Sequence, residues 1–142
     1  MNKKHYTNVG IKENKTFSVN IPSEDLVVKT DYCGLVSGDE VDKSSLFDIF
    51  YGELKTAPMI NECPINMECK LVKIVDFPNH DVFMGEIVAA YCDEEILTGE
   101  SGEIIDVAKL KPLLFEMHSI HYWRLGEKIA KCWNVGKLLQ KE

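Results

Sequence analysis

Apolar and polar residues alternate from Thr16 to Ile21, with Phe17, Val19 and Ile21 set against Thr16, Ser18 and Asn20. A period of two predicts a half-buried strand, and Pro22 ends it. Ser23 has the chemistry of a helix N-cap, and Glu24 and Asp25 suit a first helical turn, so a short helix is expected to about Thr30. Asp31 to Ser45 is rich in Gly, Ser and Asp with scattered apolar residues, which predicts a long ordered loop. Leu46 to Pro64 has no clear period; Phe47, Ile49, Phe50 and Tyr51 are its expected packing anchors, and Pro58 and Pro64 bracket a short extended piece.

Ile65 to Leu71 is the clearest strand. Ile65, Met67, Cys69 and Leu71 share one face, and Asn66, Glu68 and Lys70 share the other. The apolar phase shifts after Val72, which predicts a bulge or a barrel corner. Phe77 to Asp81 reads as a turn. Val82 to Tyr91 is nearly all apolar, so it is expected to be a central strand, paired with the first in a long hairpin. Thr98 to Gly102 reads as a loop and Asp106 to Leu110 as one helical turn, stopped by Lys111 and Pro112. Leu113 to Phe115 and Ile120 to Trp123 look extended. Leu125 to Trp133 predicts a terminal helix ending near Asn134 and Gly136. The sum is a mainly β chain, a small antiparallel barrel of Greek-key type with short peripheral helices.

Length and composition set the outer limits. The 142 residues fit a single domain, 1–142, and 45% hydrophobic residues can bury a core. A formal net charge of −7 argues against a nucleic-acid backbone as partner, since phosphate tracking needs clustered Lys and Arg. No apolar run is long enough to span a bilayer, and no signal peptide is evident, so no membrane partner is expected. Five cysteines without a C-x-x-C spacing disfavour zinc and a thioredoxin-type pair, and suggest a reducing cytoplasm. At least four of the five are expected to be buried small hydrophobes.

Several motifs together carry a resemblance. Phe17 to Ser23 matches a strand F-x-V-N-I-P-S, and Asp31, Tyr32, Gly34, Ser37, Gly38, Asp42 and Lys43 match a loop D-Y-x-G-x-x-S-G-x-x-x-D-K. Ala57 to Pro64 matches A-P-x-I-x-E-C-P, and Phe83 to Val88 matches F-x-G-E-V-V. Tyr122 and Trp123, then Leu125-Gly126-Glu127 and Gly136-Lys137, match a closing Y-x-x-L-G-E…V-G-K element. In order and spacing these resemble the flavoredoxin and flavin-reductase family over nearly the whole chain. The resemblance implies an FMN-binding split β-barrel, a homodimer, and electrons moved from NAD(P)H or a redox partner through bound FMN. Family members begin with several strands before a Tyr-Thr phosphate motif; this sequence starts inside that motif, with the family's Arg position absent or displaced. A barrel remnant that binds partners without catalysis therefore stays open as the alternative.

The resemblance also implies site residues. Lys4 and Thr7, with Lys3, His5 and Tyr6 beside them, are the expected phosphate contacts. The Tyr32, Cys33, Gly34, Ser37, Gly38 and Lys43 loop offers backbone donors, room for close approach and one cation. Gly85 interrupts an apolar strand, where a ligand or a barrel bend would explain it. Tyr122 and Trp123 are flavin contacts or simply core or interface aromatics. His118 and His121 stand three apart without a further ligand cluster, and Cys33 has no base placed to activate it. The family's chemistry needs no protein nucleophile, because the cofactor accepts the hydride.

Overall fold

A computed structural model describes residues 1–100 and 102–140. The period-two segment is strand β1 (Thr16–Ile21). It pairs antiparallel with β4 (Ile65–Asp76), Phe17 opposite Cys69 and Ile21 opposite Ile65. Between them in sequence lie the short pair β2 (Ile49–Phe50) and β3 (Met59–Ile60). β4 turns through Phe77–His80 into β5 (Asp81–Cys92), and the sheet order is β1-β4-β5. Two smaller hairpins follow: β6 (Leu97–Thr98) with β7 (Ile104–Ile105), and β8 (Leu113–Glu116) with β9 (His121–Arg124). The chain is mainly antiparallel β, and no sheet closes into a barrel among the described residues.

Two features of β4 and β5 depart from expectation. β4, not the more apolar β5, is the central strand. β5 is an edge, with Val82, Met84 and Ile87 exposed. An apolar run reads as central because both its faces must be covered, but no second strand pairs with this one among the described residues. The expected bulge is present: the register skips Val72 between Leu71 and Lys73, and a second irregularity falls between Glu68 and Cys69.

The polar face of β4 is also buried. Asn66 and Glu68 are 4% and 0% exposed, because residues 49–64 fold across them. The carboxylate of Glu68 accepts from the amides of Glu53 (2.8 Å) and Leu54 (2.6 Å) and from the Tyr91 hydroxyl (2.6 Å). The Asn66 amide donates to the Cys63 carbonyl at 2.8 Å, and Asn20 accepts from the Ile60 amide at 3.2 Å. Each buried polar group named here has a partner, as interior polar groups require.

Helix α1 (Thr7–Asn14) precedes β1, packs alongside it and buries Ile11; the sequence pattern did not predict it. Lys15 ends it in the left-handed conformation (φ 58°). After β1, a 3₁₀ turn (Glu24–Leu26) leads into α2 (Val27–Leu35). Ser23 sits at the cap position of that turn but makes no side-chain cap bond. The helix runs past the expected end at Thr30, so the ordered loop begins at Val36, not Asp31. Asp106 caps the single turn α3 (Val107–Leu110) by accepting from the Ala108 amide at 2.9 Å. Gly99 and Gly102 adopt positive φ in the β6–β7 connection; Ser101, inside the expected Thr98–Gly102 loop, lies outside the described residues.

The terminal helix is absent. Residues 125–131 have no regular structure, and a 3₁₀ turn spans only Val135–Leu139. All residues from His121 to Gln140 are exposed. A short amphipathic helix draws its stability from packing, and here every residue of the segment is exposed among the described residues. The cysteine expectation also fails: Cys63 and Cys69 are buried, Cys33 is half-buried, and Cys92 and Cys132 are exposed. All five are free thiols.

Candidate functional site

The N-terminal residues are anchored before they are used. The α-amino group of Met1 donates to the Asp81 carbonyl at 2.7 Å, and the Asp81 amide donates back to the Met1 carbonyl at 2.9 Å. The buried Asp81 carboxylate lies 2.6 Å from Lys12 and 3.6 Å from Lys3. Lys12, and then Lys3, hold that carboxyl below the usual carboxylate range. Lys3 also pairs with Asp76. This latch fixes residues 1–3 against the β4–β5 turn, and His5, Tyr6 and Thr7 follow at the start of α1.

The end of α2 and the loop after it face these residues. Together they form a cleft of about 400 Å³ lined by His5, Tyr6, Thr7, Cys33–Gly38 and Val41–Lys43. Lys43 enters it with its ammonium donating to the Cys33 carbonyl at 2.6 Å. Asp42 does not neutralise the cleft freely. Its carboxylate accepts from the Ser44 hydroxyl (2.6 Å) and amide (2.9 Å), which hold it below the usual range. Ser37 does the same for Asp39. Gly38 packs against the Tyr6 ring, where an added Cβ would stand 3.2 Å from a ring carbon. A Cβ on Gly34 would meet nothing within 4 Å, so that face of the helix end is open.

Tyr6 and Thr7 also line a second, larger groove of about 720 Å³. Its walls include Ile11, Phe17, Val19, Pro58 and Phe83. The two cavities meet at Tyr6 and Thr7; the smaller mixes polar residues (His5, Thr7, Ser37, Asp42, Lys43) with apolar ones, and the larger is mostly apolar. Periodicity could not show this groove, because it is made by α1 lying over β1 and the start of β5. Leu35, Val36 and Val41 in the smaller cleft were likewise not foreseen; their signal, apolar residues at a helix end and in a Gly-Ser loop, is too common to single out.

Eight of the sequence candidates therefore gather around one cleft: His5, Tyr6, Thr7, Cys33, Gly34, Ser37, Gly38 and Lys43. Lys4 is exposed and does not line it; its amide donates to the Asn2 side chain. Tyr32 sits one residue before the cleft wall, 39% exposed. Tyr122 donates to Asp31 at 3.1 Å, which ties the β8–β9 hairpin to α2; burial and then that carboxylate raise its phenol pKa. Trp123 is on the same hairpin and exposed. Gly85 has a different explanation from a ligand: an added Cβ would stand 2.5 Å from the Phe17 ring, so the glycine makes room for that side chain. His118 and His121 are exposed on the β8–β9 hairpin.

Comparison with known proteins agrees with this architecture. The model of the flavin reductase like domain matches residues 1–124. The crystal structure of flavoredoxin from Methanosarcina acetivorans superposes with a TM-score of 0.93 at 52% identity, covering 98% of this chain and 73% of that one. Flavoredoxin of Desulfovibrio vulgaris (Miyazaki F) gives 0.87 at 35% identity, covering 96% of this chain and 73% of that one. An uncharacterised protein of Archaeoglobus fulgidus is 35% identical over 85 residues, which are 58% of this chain. The chain spans 48% of the length of that relative. On the domain match and the two flavoredoxin superpositions, this chain belongs to the flavin reductase like domain family.

Proposed function

We propose that this chain binds FMN and carries electrons through it, taking them from NAD(P)H or a reduced redox protein, as a homodimer in the cytoplasm. The observation that carries the proposal is the convergence of His5–Thr7 and the Cys33–Lys43 segment on one cleft that opens, at Tyr6 and Thr7, beside an apolar groove. A phosphorylated flavin has that same division, an anionic end and a flat apolar ring. The donor set fits the group. Lys43, His5, Thr7 and Ser37 would hold the phosphate, the open face at Gly34 would admit it, and Phe17, Val19 and Phe83 would line the ring side. When bound, FMN supplies a ring that accepts a hydride or single electrons. The chain's own part is positioning: Asp42 is kept off the phosphate by its bonds to Ser44, and the Met1–Asp81 latch holds the N-terminal wall in place.

Titration of the flavin-free protein with FMN, followed by flavin fluorescence, tests the site. Saturable quenching is expected, and Thr7→Ala with Lys43→Ala should weaken it about tenfold or more, the worth of a charge-assisted bond. Equal affinity in the double variant would remove the phosphate assignment. Bleaching of bound flavin by NADH or NADPH without air would then separate a reductase from a carrier fed by another protein. A second reading, a binding module without catalysis, is favoured by the open edge of β5. A protein that ignores added FMN would support it.

A further inference from the structure

Asn8 is the second residue of α1, 4% exposed, and it lines neither cavity. Its side-chain nitrogen donates to two backbone carbonyls, those of Asn2 and His5, both at 2.8 Å. Its backbone amide also donates to the His5 carbonyl, at 3.1 Å, and the His5 amide donates to the Asn2 carbonyl at 3.1 Å. The side-chain oxygen of Asn8 is buried without a partner. A buried asparagine ordinarily uses both ends of its amide, so one whose side chain only donates is held there for its N–H groups.

The two carbonyls bracket the turn that brings the chain from the β4–β5 connection to the cleft. Asn2 bridges to His80 in that connection, and His5 and Tyr6 line the cleft. The His5 carbonyl belongs to the His5–Tyr6 peptide, which is trans. In a planar trans peptide the N–H points opposite to the C=O. Two donors draw that carbonyl toward the buried Asn8, so the Tyr6 N–H faces the other way. It has no hydrogen-bond partner among the described residues. An unpartnered amide at the start of a helix is a ready donor to an anion.

We propose that Asn8 is a positioning residue for the phosphate end of the cleft: by holding the His5 carbonyl, it turns the Tyr6 N–H outward as a backbone donor to the flavin's phosphate. The inference rests on the FMN reading and adds a side chain that touches no cofactor and a donor that belongs to the main chain. Titration of the flavin-free protein with FMN and, separately, with riboflavin, which lacks the phosphate, tests it. The parent is expected to prefer FMN. Asn8→Ala should lower FMN affinity about tenfold, the worth of one hydrogen bond to a charged group, and riboflavin affinity by less than about twofold. Equal losses for the two ligands would make Asn8 merely structural; that result, or an unchanged FMN affinity, overturns the inference while FMN binding stands. Amide nuclear magnetic resonance spectra of the parent give a second measurement that does not depend on the variant folding. The Tyr6 amide should shift as FMN saturates the protein and stay in place with riboflavin. A Tyr6 amide that ignores FMN, or that moves alike with both flavins, also overturns the inference. A parent that binds neither flavin removes the FMN reading and this one with it.

Discussion

Glu68 shows how one residue can organise a segment without regular structure. Burial pushes its carboxyl pKa up, but the Tyr91 hydroxyl and the Leu54 and Glu53 amides outweigh that and hold it below the usual range. A depressed folded-state value means that ionisation favours folding. Its contribution is complete above about pH 5 and is lost as the pH falls through the folded value. Thermal unfolding from pH 6 to 3 should therefore decline less steeply in Glu68→Gln than in the parent, and parallel curves would show that Glu68 does not drive the acid transition. Gly52 is bound to the same cluster, because an added Cβ would stand 2.1 Å from the Glu68 carboxylate and 2.2 Å from the Tyr91 hydroxyl. Gly52→Ala should cost about 2–4 kcal/mol in denaturant unfolding, through displacement of a buried hydrogen-bonded charge. The thiols make a second case. Burial, and then Glu62 and Asp93, push Cys63 up to about 11, while Cys92 and Cys132 are exposed. Brief alkylation of the native protein at pH 8 should label Cys92 and Cys132 and leave Cys63 and Cys69 intact by mass spectrometry.

Among the elements, the β4–β5 hairpin carries most of the architecture, and its regular pairing is interrupted at Val72 and near Cys69. Gly85 lies between those irregularities and accepts the Phe17 ring from β1, two strands away. The two residues are therefore coupled. Gly85→Ala should destabilise by about 1–3 kcal/mol, and Phe17→Leu should recover part of that loss by shortening the side chain. Strictly additive losses in the double variant would mean that the ring and the glycine are independent. The helices show the other side of element-level reasoning. α2 outlasts its expected end because Asp31 and Tyr32 continue the helix, and the Val36 amide closes it on the Tyr32 carbonyl. The segment after Leu125 has a helical pattern, but its apolar residues are exposed among the described residues.

At the scale of the whole molecule, the sheet ends in two strands paired on one side only among the described residues, β1 and β5, and β5 is the apolar one. β5 bonds to β4 along one edge and to no strand along the other among the described residues, while Ile87 on it is 57% exposed. Open apolar edges invite pairing with other chains. For this chain by itself, Ile87→Lys should reduce light scattering after dilution from denaturant and change unfolding free energy by no more than about 0.5 kcal/mol. A larger loss of stability would show that Ile87 is already packed. No helix among the described residues is long and apolar enough to cross a membrane.

Local alternation was enough to place β1, the β4–β5 hairpin, the bulge at Val72 and the Asp106 turn, because each depends on period and on capping chemistry within a few residues. Ordered motifs were enough to bring His5–Thr7 and Cys33–Lys43 under suspicion. What periodicity could not supply were facts about neighbours: that Glu68 and Asn66 on the polar face of β4 would be covered, that the apolar β5 would lie at an edge, that Phe17 would fill the gap at Gly85, and that a helical pattern after Leu125 would stay exposed among the described residues. Burial is a property of whatever lies across the gap from a residue, and that is decided by the path of the distant chain.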